Sequence, residues 1–550
     1  MFRGFEFMKQ LNGNGVVACV HPLPAQEGAK VLEAGGNAFD AAITTAFVQM
    51  IVTPFSCGVG GMVSANLWES RTREHLVIDG YMRAGSLATE DMWAAEYVGE
   101  ADVSGASLFD DNRSVVGYTS ICTPGAVAGL AEIHRRFASM PWAELLGPAI
   151  RVAREGHIVP ITLARQLVTP SLSGYEPDML SRINTTEECA RLYLNPDGTL
   201  LRQGQTIRNP DYADTLEIIA MRGAEEFYRG DLAKEIAQDI QAHGGFVTLE
   251  DLNEFETRAY LPPSGKYGAY EVFSNGAPGG GPLLIEALNS LDGVGLGELD
   301  PSDLEYARYL ASTLQLVNQD RRSYLGDPRF VGKEPQDVLT SQSQAERIRE
   351  AVLRGVVGGE LPEKEDTDTT HLTVVDRAGN IASITHTLGN HSGVVTRGLG
   401  FLYNNGMNRF DPRPGHASSI APRKARLHLM MPAIAFRQDE PIVAWGAPGG
   451  NSILGAMVQT FTNVVDYGMN STKATTAPRI YAEGSKVWVE TQVRSDVVEG
   501  LRSQGHEIII NPGSLAGSAR IQMVVIEPDG NLDAASDPRG EYGVVYARSR

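Results

Sequence analysis

The spacing of apolar residues changes character once along this chain. Val16 to Val20 is a short apolar run that predicts a buried strand. Pro24 to Glu33 carries helical spacing and stops at Gly35-Gly36. Asn37 then caps a second, almost wholly apolar helix through Ala41, Ala42, Ala46 and Val48. "PFSCGVGGMVSANLWE" predicts a glycine turn and a strand to Trp68, and "EHLVIDG" another short strand. From about Pro124 to Tyr260 helices dominate, in "PGAVAGLAEIHRRF", "WAELLGPAIRVAREG", "NPDYADTLEIIAMRGAEEFYRG", "LAKEIAQDIQAHGG" and "TLEDLNEF". "YGAYEVFSNGAPGGGPLLIEALNSL" predicts strand, glycine turn and helix, and two more helices follow before Gly358-Gly359. After Thr369 the period becomes 2. "THLTVVDRAGNIASITHTL" predicts a hairpin, "PAIAFRQDEPIVAWGAPGG" repeats it, and "GSKVWVE" and "ARIQMVVIEPDGNLDAASDP" add strands around one helix, "NSILGAMVQTFTNVVDYG". A helix-rich first part and a strand-rich second part predict an α+β fold, two sheets sandwiched between helices.

Composition changes this picture little. Of 550 residues, 42% are hydrophobic and 21% charged, enough for a large core. A net charge of −20 argues against nucleic acid as a partner, since phosphates require basic patches. No apolar run approaches membrane-spanning length, and the N-terminus lacks a signal-peptide pattern, so a cytoplasmic location with no membrane partner is the default expectation. Cys19, Cys57, Cys122 and Cys189 have no CxxC spacing, which disfavours zinc sites and a disulfide framework. His386 and His391 make a poor ligand pair, so no metal is expected. "GVGG" at Gly58 to Gly61 lacks the dinucleotide spacing, and no cofactor is implied; close packing near the active site is the better reading.

The chemistry concentrates where the two textures meet. "KEDTDTTHLTVVD" passes from a charged loop straight into a strand, with threonines at the join. A cut before Thr369 leaves an amino-terminal threonine on a rigid mount. Such a residue is a nucleophile with its own base, because the freed α-amine takes the hydroxyl proton. Gly449-Gly450 in "WGAPGGNS" offers backbone N–H donors for an oxyanion. The same residues also read as a surface loop entering a strand and a plain glycine turn.

In its motifs the chain resembles the γ-glutamyltransferase family of N-terminal nucleophile (Ntn) hydrolases. The resemblance rests on "EAGGNAFDAAITTAFVQMIVTPFSCGVGGM", "PGAVAGL", "LLGPAIRVAREGHIV", "TTHLTVVDRAGNIASITHTL", "GAPGG", "DYGMNSTKATTAPRI" and "ASDPRGEY", in family order over nearly the whole chain. It implies an αββα sandwich. It also implies a proenzyme cut between Asp368 and Thr369 into a large subunit, 1–368, and a small catalytic subunit, 369–550, forming one intertwined unit. The two subunits would pair after cleavage, with further homo-oligomers open. Thr369 would form an acyl-enzyme, Thr387 would hydrogen-bond it, Gly449 and Gly450 would hold the oxyanion, and water or an amine would resolve it.

The pattern breaks at substrate recognition. The family holds the substrate α-carboxylate with an arginine and a Ser-Ser pair; here Tyr81 stands at the arginine, Arg83 is displaced by two, and His428 and Leu429 replace the serines. The α-amine ligands of the family correspond to Gly389, Gly406 and Arg409. A buried unpaired ammonium or carboxylate costs several kcal/mol, roughly, so γ-glutamyl groups fit poorly. Tyr81, Arg83, His391, Arg409 and His428 form a donor-rich replacement set suited to a small anionic acyl amide such as oxamate. Arg409 equally reads as a surface ion pair, and His391 and His428 as satisfied polar histidines. "NQDRR" (Asn318 to Arg322) reads as a helix under the site, structural in role. Three readings remain: an autoprocessed amide hydrolase of altered specificity, a true γ-glutamyltransferase, and an uncleaved, inactive binding protein.

Overall fold

The computed structural model describes residues 13–100, 107–168, 177–358, 369–511 and 519–549. Two antiparallel sheets stack face to face. The first has seven strands in the order Gly543–Ala547, Gly15–Cys19, Thr370–Asp376, Ile381–Thr387, Met62–Glu69, Glu74–Gly80, Arg258–Tyr260. The second has six: Leu532–Ser536, Gln522–Ile526, Glu440–Gly446, Ala433–Arg437, Tyr270–Phe273, Ser264–Tyr267. Segments from before and after residue 369 therefore alternate within the first sheet and share the second.

Side-chain alternation explains the layering. Val16, Ala18 and Val375 face inward and meet Ile434, Phe436, Ala444 and Val524 of the opposite sheet. Their neighbours Val17, Cys19 and Val374 face outward into a core with the helices Pro22–Glu33, Ala38–Val52, Ala126–Phe137 and Trp142–Glu155. The second sheet's outer face, with Val443, Trp445 and Met523, packs on the helices Gly281–Leu291, Leu304–Tyr324 and Ser452–Val465. The order is helix, sheet, sheet, helix, as expected. Polar ties cross the middle: Asn66 Nδ2 donates to Phe273 O at 3.0 Å and Ser383 Oγ to Trp445 O at 3.2 Å.

Local chemistry sets the elements beneath the threonine strand. Asn37 and Asp40 form a reciprocal cap on the Ala38–Val52 helix, every residue of which is buried. Asp376 organises the hairpin turn, accepting from the N–H groups of Ala378 (2.8 Å) and Asn380 (3.0 Å), and also from Ala38 N (2.9 Å), which fixes the hairpin to that helix. The run from Asn209 to Gly230 breaks into two helices, Pro210–Arg222 and Glu225–Arg229, because Gly223 takes a positive φ of 82°. "GSKVWVE" joins neither large sheet; it pairs in a separate three-stranded sheet with Ile480–Glu483 and Glu507–Asn511. All four cysteines are buried and free. Among the described residues no helix is long and apolar enough to cross a membrane, and no cluster of His, Cys, Asp or Glu is arranged to hold a metal.

Candidate active site

Thr370 pairs with His386 in the hairpin, so the next residue outward on each strand, Thr369 and Thr387, also lie side by side. Thr369 Oγ1 donates to Thr387 Oγ1 at 3.2 Å, and the Gly389 N–H donates to the same Thr387 oxygen at 2.8 Å. The strand beneath is held hard. Thr370 Oγ1 donates to His386 O at 3.1 Å, and Gln49 bridges two strands, donating to His371 O (3.3 Å) and meeting His386 Nε2 (2.8 Å). Burial pushes His386 down to about 3 and His371 well below the usual imidazole range, so both are neutral struts. Asp368, the other side of the expected cut, lies outside the described residues.

Thr369 opens onto a small cleft lined by Thr387, Arg409, Arg426, Leu427, His428, Leu429, Met430, Gly450 and Ile453. The two cationic groups are largely covered, Arg426 at 3% and Arg409 at 9% exposure. Among the described residues no carboxylate lines it.

The Gly449-Gly450 turn has positive φ at both residues, 139° and 56°, a conformation that L side chains avoid. It leads into the Ser452–Val465 helix, and Ser452 Oγ donates to Gly449 O at 2.6 Å. The next residue, Asn451, is braced from below. Arg321, on the Leu304–Tyr324 helix, donates to Asn451 Oδ1 (2.8 Å) and to Glu483 (2.6 Å), and Asn451 Nδ2 donates to the other Glu483 oxygen (2.9 Å). "NQDRR" thus lies under the turn, as expected.

Five of the expected residues converge on the cleft: Thr369, Thr387, Gly450, Arg409 and His428. Gly389 borders it, at a φ of 76°; a Cβ there would run into Asn405 Oδ1 and stand 3.5 Å from Arg426 Nη1. The rest of the replacement set does not converge. Tyr81 lies behind His428, ring centroids 4.3 Å apart, with its hydroxyl in the polar cluster of Asn275 and Asp79. Arg83 points elsewhere, over the Phe255 ring at 4.7 Å and onto Glu256 O at 2.5 Å. His391 is a packed core residue at φ 45°, stacked on Phe55 with Nδ1 accepting from Gly393 N at 3.1 Å. Burial first, then Arg182, keeps His391 neutral. Gly406 is tucked against Cys122, where a Cβ would lie 2.6 Å from the sulfur. Sequence reasoning missed Arg426. It sits two residues before His428 in an irregular segment with no periodicity to mark it, and only its charge within "ARLHLMMP" signals it.

Known proteins resemble the chain along nearly its whole length. The chain is 32% identical over 537 residues to acylase ACY 1 proenzyme of Pseudomonas sp. (strain V22), covering 95% of this chain and 91% of that one. It is 31% identical over 547 residues to glutathione hydrolase proenzyme of Bacillus subtilis (strain 168), covering 95% and 90%. The solved structure of cephalosporin acylase from Bacillus halodurans superposes with a TM-score of 0.84 at 29% identity, over 99% of both chains. The family profile described as gamma-glutamyltranspeptidase matches residues 24–547. With that span and a threonine-headed strand in a four-layer sandwich, the chain belongs to the gamma-glutamyltranspeptidase family of Ntn hydrolases.

Proposed function

We propose that this protein is an autoprocessing acylase that hydrolyses amides of small anionic acyl groups and not γ-glutamyl amides. The observation that carries the reading is the composition of the cleft in front of Thr369: two guanidinium groups and an apolar wall, with no carboxylate among its described lining residues to receive a substrate ammonium. Arg409 and Arg426 favour an acyl carboxylate and repel a free amino group.

Cleavage of the Asp368–Thr369 peptide frees the α-amine of Thr369 and yields subunits 1–368 and 369–550. The amine takes the hydroxyl proton as Thr369 Oγ1 bonds to the amide carbon. Thr387, 3.2 Å from that oxygen, orients it. The Gly449-Gly450 N–H groups receive the negative charge on the carbonyl oxygen. The C–N bond breaks, the amine leaves with the proton, and an ester on Thr369 remains. Water or an acceptor amine attacks that ester and restores the threonine.

A panel of γ-glutamyl, oxamate, glutaryl and simple acyl amides, assayed by ammonia or amine release, tests the reading. Preference for the anionic acyl amides is expected; efficient turnover of γ-glutamyl-p-nitroanilide refutes it. That outcome would favour the second reading, a glutathione-hydrolysing enzyme, which the Bacillus subtilis relative supports. A single uncut band, unchanged in Thr369→Ala, would leave only a binding protein.

A further inference from the structure

Arg426 is a charged cleft residue that the sequence patterns did not single out, and its surroundings are specific. Its backbone N–H donates to Met82 O at 3.2 Å, which fixes the segment, and the side chain is buried beside the threonine pair. The guanidinium reaches Gly389: Nη1 stands 3.5 Å from where a Cβ on that residue would be. Gly389 is itself joined to the site by its N–H bond to Thr387 Oγ1. A Cβ at 389 would clash with Asn405 Oδ1 at 2.4 Å and come into van der Waals contact with Arg426.

On the other side stands His428, 4% exposed, with neither ring nitrogen hydrogen-bonded to protein. Burial first, then the Arg426 charge, holds its imidazole neutral, with one nitrogen to donate and one to accept. The edge contact with Tyr81 fixes the ring. A buried polar ring without a protein partner beside a cation suits a ligand that brings its own oxygens.

We propose that Arg426 is the residue that selects the acyl group: its guanidinium binds the acyl carboxylate, His428 donates to the same group, and the bare backbone at Gly389 leaves the guanidinium its room. This inference rests on the acylase reading for its substrate, but it concerns anion binding and is testable without turnover. An acyl carboxylate held here places the charge next to the threonine pair, which favours short diacid monoamides.

The experiment measures two things on the cleaved enzyme and on Arg426→Gln, Arg426→Lys and Gly389→Ala. Calorimetry follows the binding of oxalate and glutarate, and steady-state kinetics gives the ratio of kcat/KM for glutaryl over butyryl p-nitroanilide. Arg426→Gln is expected to weaken anion binding and lower the ratio at least about tenfold, as loss of a charge-assisted hydrogen bond does. Arg426→Lys recovers part of both. Gly389→Ala moves both in the same direction with the arginine still present. Melting curves identify any variant that has failed to fold. Unchanged binding and ratio in Arg426→Gln overturn the proposal while the acylase reading stands. Arginine-dependent anion binding without hydrolysis of any amide refutes the acylase reading and leaves the anion site. No anion binding by the unsubstituted enzyme, with no preference for glutaryl, overturns the proposal.

Discussion

Arg321 offers a quantitative test of how the glycine turn is held. Its side chain is 6% exposed and that of Glu483 1%, with 2.6 Å between them, so the pair is an interior one. Arg321→Met removes the hydrogen bonds to Glu483 and Asn451, among others. The Glu483 carboxylate keeps Asn451 and Tyr481 as donors but loses its countercharge. Removing one partner of a buried pair costs about 3–5 kcal/mol, most of it the penalty on the charge left behind. Unfolding entropy scales with length, so in a chain of 550 residues this corresponds to a fall in Tm of only about 3–4 °C. The second consequence is local: Asn451 follows Gly450 directly, and slack there would misplace the N–H donors proposed for the oxyanion. The expectation is a fall in kcat of about tenfold or more with KM little changed. Arg321→Met/Glu483→Gln removes the stranded charge and recovers much of the stability without recovering kcat. Calorimetric melts and steady-state kinetics on the four proteins of this cycle measure both effects. A wild-type Tm and kcat in Arg321→Met would refute the bracing argument. Strict additivity in the double variant would refute the charge argument.

Two further outcomes follow from the same geometry. Gly449→Ala places a Cβ against the Ala519 backbone at a φ of 139°, so kcat is expected to drop about 10²-fold with KM nearly unchanged, measured on the preferred amide. Asp79, buried beside Ser64 and Tyr260, is pushed up by burial to about 6 from an ordinary 3.8. A raised acid holds its proton longer in the fold than in the unfolded chain, so its contribution is fully present below pH 3.8 and is lost as pH rises through about 6. The total is about 3 kcal/mol, so the Tm of Asp79→Asn relative to wild type should climb between those pH values and stay level above pH 7; a constant difference across that range would contradict the assignment.

Much of this was legible in the sequence where the signal is local. The Thr369–Thr387 juxtaposition follows from two alternating strands and one tight turn, and the four-layer stacking from the family resemblance. What was not legible depends on distant pairing. Nothing in "GVVAC" says that it lies between Thr370–Asp376 and the C-terminal Gly543–Ala547 strand. The recognition residues divide in the same way. Arg409 and His428 reach the cleft. Arg83 turns to the Phe255 ring, and His391 turns into the core, because side-chain direction on irregular segments is set by tertiary packing that position in a motif does not encode. Arg426 went unread for the same reason.

The alternation of strands across the Thr369 junction has a consequence for the life of the molecule. Once cut, neither piece can withdraw without stripping hydrogen-bonded strands from the middle of a sheet, because Gly15–Cys19 is flanked on both sides by strands of the other piece. The continuous precursor is the template on which both sheets assemble. A cut at Thr369 would erase that template, and the resulting pair would endure through slow unfolding: taken apart, the separate pieces would no longer carry the connectivity that built them.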